Sequence, residues 1–113
     1  MSKRTPKLLL EDIQESAERI IEYTKTMTFE EFSKDNKTID AVIRNFEIIG
    51  EASNLLPDDI KDKYSEIEWH RIRGFRNRVV HDYFGVDLQI VWKISFDQLP
   101  SLISEIAKIL RYF

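Results

Sequence analysis

The stretch from Ala41 to Leu56 limits the fold more than any other part of the chain. Val42, Phe46, Ile49 and Leu56 form one apolar stripe at helical spacing, and Ala41, Ile48, Ala52 and Leu55 form a second beside it. A helix that is apolar on two sides has to be covered on two sides, so the pattern predicts a central helix in an all-α protein. Pro57 marks its end, because the residue before a proline is pushed out of the α region. Gly50 costs about 1 kcal/mol relative to alanine in a helix interior, which predicts a close approach of a neighbouring helix at that point.

The remaining segments repeat the helical period. Ile13, Ala17, Ile20, Ile21 and Thr24 recur at steps of three and four, predicting an amphipathic helix from about Thr5 to Lys25. Thr28 with Glu31 and Ser65 with Glu68 each match a capping box and so mark two further helix starts. After Gly85, residues Val86–Phe96 and Leu99–Phe113 read as two more helices, the second capped by Asp97 or Ser95 with Pro100 in its first turn. With three glycines, three prolines and no repeat in 113 residues, there is little room for long loops or a second module. The expected architecture is an all-α, up-and-down bundle of four to five main helices in a single domain.

Composition narrows the chemistry. The chain has no cysteine, which removes disulfides, thiolate metal sites and cysteine nucleophiles. A di-iron carboxylate bundle needs Glu-x-x-His pairs, but the residues three before the two histidines are Ile67 and Arg78. His70 and His81 would stand about 16 Å apart along one helix at ~1.5 Å per residue, too far for one metal ion. Glycine-rich phosphate loops and nucleophile elbows are absent. The apolar runs are too short to span a bilayer and the N-terminus lacks the apolar region of a signal peptide, so the chain reads as cytoplasmic.

One segment departs from this ordinary picture. Four of the eight arginines, Arg71, Arg73, Arg76 and Arg78, fall within eight residues of a chain whose net charge is -3, and His81 follows them. Such a local positive cluster in an acidic protein suits an anionic partner. At ~100° per residue, Trp69, Ile72, Phe75, Val79, Val80 and Tyr83 share an arc of about 140°, a core or interface face, and Arg76 lies inside it. Asn77 and His81 lie together on the neighbouring polar side at i, i+4 spacing. Arg76 and Tyr83 nearly eclipse one another, whereas Arg76 and His81 diverge by about 140° on a straight helix. Those two converge on one phosphate only if the helix ends near His81 or if a second copy shares the cleft. The residues alone leave plainer readings open: Arg76 can send its guanidinium to water or to Glu47 or Glu51, and Arg71, Arg73 and Arg78 can be a solvated basic face.

Arg76-x4-His81-x-Tyr83 resembles the Arg-x4-His-x-Tyr signature of the HepT-like toxins, small helical ribonucleases of the HEPN superfamily. Ala41–Ala52 resembles that family's central helix, and Tyr83-Phe84-Gly85-Val86-Asp87 with Val91-Trp92 resembles its segment after the active site. The similarity covers nearly the whole chain and makes residues 1–113 one HepT-like domain. It implies a metal-independent endoribonuclease without cofactors, acting as a homodimer and as the toxin of a type VII-like toxin-antitoxin pair. In that scheme Arg76 and His81 are catalytic and Asn77 supports them. Arg71, Arg73 and Arg78 bind RNA, and Tyr83 accepts AMP from a nucleotidyltransferase antitoxin of the MntA type. The alternative from a different class is a helical nucleotide-binding or docking partner of a nucleotidyltransferase that cuts nothing.

Overall fold

The structure is a computed structural model and describes residues 4–74 and 88–113. Helix α1 runs Pro6–Thr24, α2 Phe29–Lys34, α3 Asn36–Leu55 and α4 Asp58–Lys63. Helix α5 starts at residue 69 and is described to residue 74. Helices α6, Leu88–Asp97, and α7, Leu99–Leu110, complete the chain. The architecture is the expected all-α single domain, with no strand among the described residues.

Helix α1 starts where the sequence says it should. The Thr5 hydroxyl accepts from the Leu8 amide at 3.2 Å, and Pro6 occupies the first turn, where its missing N–H costs nothing. Leu10, Ile13, Ala17 and Ile20 are fully buried along its inner face. This face packs against α3 and α7 and also touches α6, so among the described residues α1 has the most neighbours. Burying such a stripe is worth roughly 1.5–3 kcal/mol per large aliphatic side chain, which outweighs the modest propensity of isoleucine for helix.

Helix α3 is central on one side only. Val42, Phe46, Ile49 and Leu56 are buried, as the first stripe predicted, but Ile48 is half-buried and Leu55 is 51% exposed. The second stripe is therefore left partly uncovered by the chain itself. Asn45 and Ser53 are buried polar residues on this helix; Nδ2 of Asn45 donates to the Ala41 carbonyl at 2.8 Å and Oγ of Ser53 to the Ile49 carbonyl at 2.7 Å. Asn45 Oδ1 is buried and has no donor among the described residues. Gly50 is buried.

Two corners were only partly foreseen. The Thr28 capping box is present in full, with Thr28 N–H donating to Glu31 and Glu31 N–H donating to Thr28 Oγ1. The helix it starts lasts one and a half turns, because Asp35 leaves the α region at φ -104°, ψ 91°. The same Asp35 caps α3 by accepting from the Thr38 amide at 3.1 Å. One residue thus ends one helix and begins the next. Helix α3 ends before Pro57 as expected, and Pro57 then begins α4, a short helix the apolar period did not reveal because it buries none of its residues.

The second predicted capping box is displaced. Helix α5 starts after Glu68, whose carbonyl accepts from Ile72 N–H at 3.2 Å, so Ser65 lies in the preceding turn. Burial decides the start: Ile67 and Trp69 are pulled inward, and the Trp69 indole N–H donates to the Tyr64 carbonyl at 3.1 Å. Neither Asp97 nor Ser95 caps α7. Its N-cap is Gln98, with no side-chain bond to the helix start, while the Ser95 hydroxyl is buried and donates back to the Val91 carbonyl at 2.9 Å. Pro100 does fall in the first turn of α7. No described helix is long and apolar enough to cross a membrane.

Candidate functional site

The arginine-rich segment begins in α5 and passes out of the described residues after Gly74. Arg76, Asn77, Arg78, His81 and Tyr83 all lie outside the described residues, as does the first part of the helix expected from Val86. What the structure shows is how the segment is held on each side.

On the N-terminal side the anchor is apolar. Ile67, Trp69 and Ile72 are 4%, 7% and 5% exposed and belong to the main core. The part of the apolar arc that is described, Trp69 and Ile72, is therefore filled by the chain's own interior. It is core, and it supplies no free surface to a second subunit. With these two side chains turned in, His70, Arg71 and Arg73 are turned out to solvent. Gly74 is helical, and a Cβ built there meets nothing within 4 Å.

The two described arginines have different surroundings. The Arg71 guanidinium stands 3.6 Å from the Glu68 carboxylate. Both border an open groove of about 230 Å³ whose other lining includes Glu66, Asp97, Gln98, Ser101 and Glu105, over a floor of Ile67, Ile72 and Leu102. Four carboxylates around one guanidinium make this side of α5 locally acidic. Arg73, 200° further round the helix at ~100° per residue, is exposed and makes no ion pair with any described residue. The sequence reading had no signal for the acidic groove, because its carboxylates come from the turn before α5, the end of α6 and the middle of α7.

On the C-terminal side the anchor is aromatic. Val91 and Ile94 of α6 are buried. Trp92 packs between Phe32 of α2, at 5.1 Å between ring centres, and Phe96, at 4.7 Å, and meets Phe29 edge-on at 6.0 Å. Aromatic pairs of this geometry add roughly 0.5–1.5 kcal/mol each to the burial itself. The histidine-bearing segment is thus spanned between two well-packed points, one ending at Ile72 and the other beginning at Val91.

Comparison with known proteins places this arrangement in a family. The model of the family described as "Ribonuclease HepT-like" matches residues 13–109. A provisionally assigned RNase of Methanocaldococcus jannaschii, MJ0127, is 41% identical over 111 residues, which cover 98% of this chain and 92% of that protein. The probable ribonuclease HepT of Thermococcus cleftensis is 45% identical over 107 residues, 95% of this chain and 97% of its own length. A provisionally assigned RNase of Caldanaerobacter subterraneus, TTE0752, is 38% identical over 108 residues, with 96% of both chains covered. No solved structure gives a significant match. With the family model covering most of the helical domain and the relatives aligned nearly end to end, the chain belongs to the HepT-like ribonuclease family.

Proposed function

We propose that the protein is a metal-independent endoribonuclease and the toxin of a type VII-like toxin-antitoxin pair. The observation that carries the reading is the Arg76-x4-His81-x-Tyr83 motif, complete, inside a chain that aligns with ribonuclease relatives over nearly all its length. RNA brings its own nucleophile, so the chemistry asks little of the protein. His81 takes the 2′-OH proton as the 2′-oxygen attacks phosphorus, and the P–O5′ bond breaks as a proton is delivered to the leaving 5′-oxygen. Arg76 presents its fork of N–H donors to the scissile phosphate and stabilises the charge that builds on it, while Asn77 orients the histidine or the phosphate. The products are a 2′,3′-cyclic phosphate and a 5′-hydroxyl. Arg73 and Arg78 carry the RNA backbone; Arg71, beside Glu68, contributes less.

In this reading the enzyme is a homodimer in the cytoplasm, and its partner is an MntA-type nucleotidyltransferase that silences it. Tyr83 is the acceptor. An AMP on its hydroxyl places a new phosphate where Arg76 should hold RNA and fills the cleft with adenosine.

The test is cleavage of single-stranded RNA in excess EDTA. Wild-type protein should cut RNA, leave DNA intact for want of a 2′-OH, and yield cyclic-phosphate ends. Loss of cleavage on chelation would refute metal independence. Co-expression with the cognate nucleotidyltransferase should add about 329 Da per AMP, as attaching an adenylyl group to a hydroxyl requires. A Tyr83→Phe protein should stay active and escape silencing. A Tyr83→Phe protein that is modified and silenced like the wild type would return Tyr83 to a packing or RNA-contacting role.

A further inference from the structure

Helix α3 ends with a carbonyl that its own backbone does not serve. The Leu56 amide donates to the Ala52 carbonyl at 3.2 Å, and the next bond of the ladder would run from residue 57 to the Ser53 carbonyl. Residue 57 is proline and has no N–H to give. The carbonyls of Asn54 and Leu55 belong to exposed residues and can turn to water, but Ser53 is fully buried. A buried carbonyl is costly to leave unpaired, so its donor has to come from elsewhere in the chain. Lys61 supplies it. Its Nζ donates to the Ser53 carbonyl at 3.3 Å, and its side chain is 13% exposed, against 54% for Lys25 and 74% for Lys34. Asp58, 3.9 Å from the same amine and with its side chain 97% exposed, is too distant and too well solvated to draw a lysine in this far. The end of α3 does so, because an ammonium there meets both the open carbonyl and the negative end of the helix dipole.

We infer that Lys61 is a positioning residue. Its bond to the Ser53 carbonyl holds α4 to the end of α3 and so sets where α5, and the arginine-rich segment that follows it in the chain, begins. Helix α4 buries none of its residues and meets the core through the partly buried Ile60, so burial alone gives it a weak hold. From α4 the position passes on through Tyr64. The Tyr64 amide donates to the Ile60 carbonyl at 3.1 Å, and the Tyr64 carbonyl accepts from the Ile67 amide at 3.2 Å and from the Trp69 indole at 3.1 Å. Ser53 is therefore joined to the first residue of α5 through Lys61, Ile60 and Tyr64, and Lys61 makes the bond that crosses from α4 to α3. Without that amine α4 can swing on the Pro57 corner, and Trp69 is left to fix the start of α5 alone.

That Lys61 serves catalysis rests on the ribonuclease reading; that it positions α5 does not. The test is Lys61→Met, which keeps the apolar stem and removes the donor. Amide hydrogen exchange over residues 71–74 should quicken by at least about tenfold while exchange in α1 stays that of wild type, because the change is a local opening. Lys61→Arg, which keeps a cationic donor, should restore the wild-type rate. Lys34→Met, which removes an equal charge from an exposed position on α2, should change nothing. Cleavage of single-stranded RNA should fall in Lys61→Met by more than its loss of folded protein accounts for, and return in Lys61→Arg. Unchanged exchange over 71–74, or exchange that quickens equally in α1, overturns the inference. So does a Lys61→Met chain that fails to fold, since the bond is assigned to α4 and α5 and not to the core. Quickened exchange with cleavage unaltered removes Lys61 from catalysis. If exchange responds as expected and wild type cuts no RNA, the positioning of α5 stands and the ribonuclease reading falls.

Discussion

Helices α1 and α5 solve opposite problems. Helix α1 has 19 residues, a hydroxyl cap, a first-turn proline and an inner face that α3, α6 and α7 close off from water. Its exposed side carries ion pairs that matter little, such as Lys25 with Glu22. The described part of α5 buries only Trp69 and Ile72, and every charged residue it carries points outward. The first helix is held by its own burial, and the second by what lies at its ends. In the proposed reading, stability rests on α1 and chemistry on the segment that follows Gly74, so substitutions should separate them.

The largest effect expected is on catalysis. General acid-base catalysis is typically worth 10²–10⁴-fold, so His81→Ala should lose RNA cleavage by about that factor while its thermal midpoint stays that of wild type. A fully active His81→Ala protein would remove His81 from the mechanism. The converse substitution belongs in the core. Phe46 is fully buried on α3, and Phe46→Ala should cost about 3–5 kcal/mol in denaturant unfolding, with turnover per folded molecule unchanged. An equal loss of cleavage at temperatures where the variant is folded would join the two regions that the comparison separates.

Trp69 tests the point where they meet. Trp69→Phe keeps an aromatic ring in the core but gives up the indole bond to the Tyr64 carbonyl, a loss of about 1 kcal/mol. Because this bond fixes the start of α5, the variant should lose cleavage by a larger factor than its unfolding free energy accounts for. Strict proportion between the two losses would show that Trp69 supports the fold alone. Gly74 is the mild case. A methyl group there has open space, so Gly74→Ala should raise stability by up to about 1 kcal/mol through helix propensity. Cleavage slowed despite that gain would show that the segment following Gly74 needs the glycine's freedom.

The smallest effect concerns acid. The Thr38 backbone amide, followed by the Thr38 side chain, holds the Asp35 carboxyl below its ordinary value. A carboxylate lowered in the folded state contributes stability above its unfolded value, and this is lost as pH falls through the lowered one. Asp35→Asn still caps α3 but carries no charge. Its unfolding midpoint should vary less than wild type's across the range below pH 4, about where free carboxylates protonate. Parallel curves would show that the cap works through geometry alone.

Much of the bundle was legible before any coordinates. A period of 3.6 survives burial unchanged, so the core of α1 and the first stripe of α3 can be counted along the chain, and the Thr28 box and Pro57 act on residues beside them. The motif was legible for a related reason, since Arg76, His81 and Tyr83 lie within one short segment. Tertiary structure alone decided the rest. Whether Trp69 and Ile72 face a partner or the interior depends on what packs opposite them, and the answer was the interior. The start of α5 moved from Ser65 to Glu68 because burying Ile67 and Trp69 outweighs a capping bond worth about 1 kcal/mol. The second stripe of α3 looked like core by composition and lies half open, because α1 and α2 pack against other parts of the helix. Local spacing records what each helix can bury, and only the assembled chain records which of those faces find something to bury against.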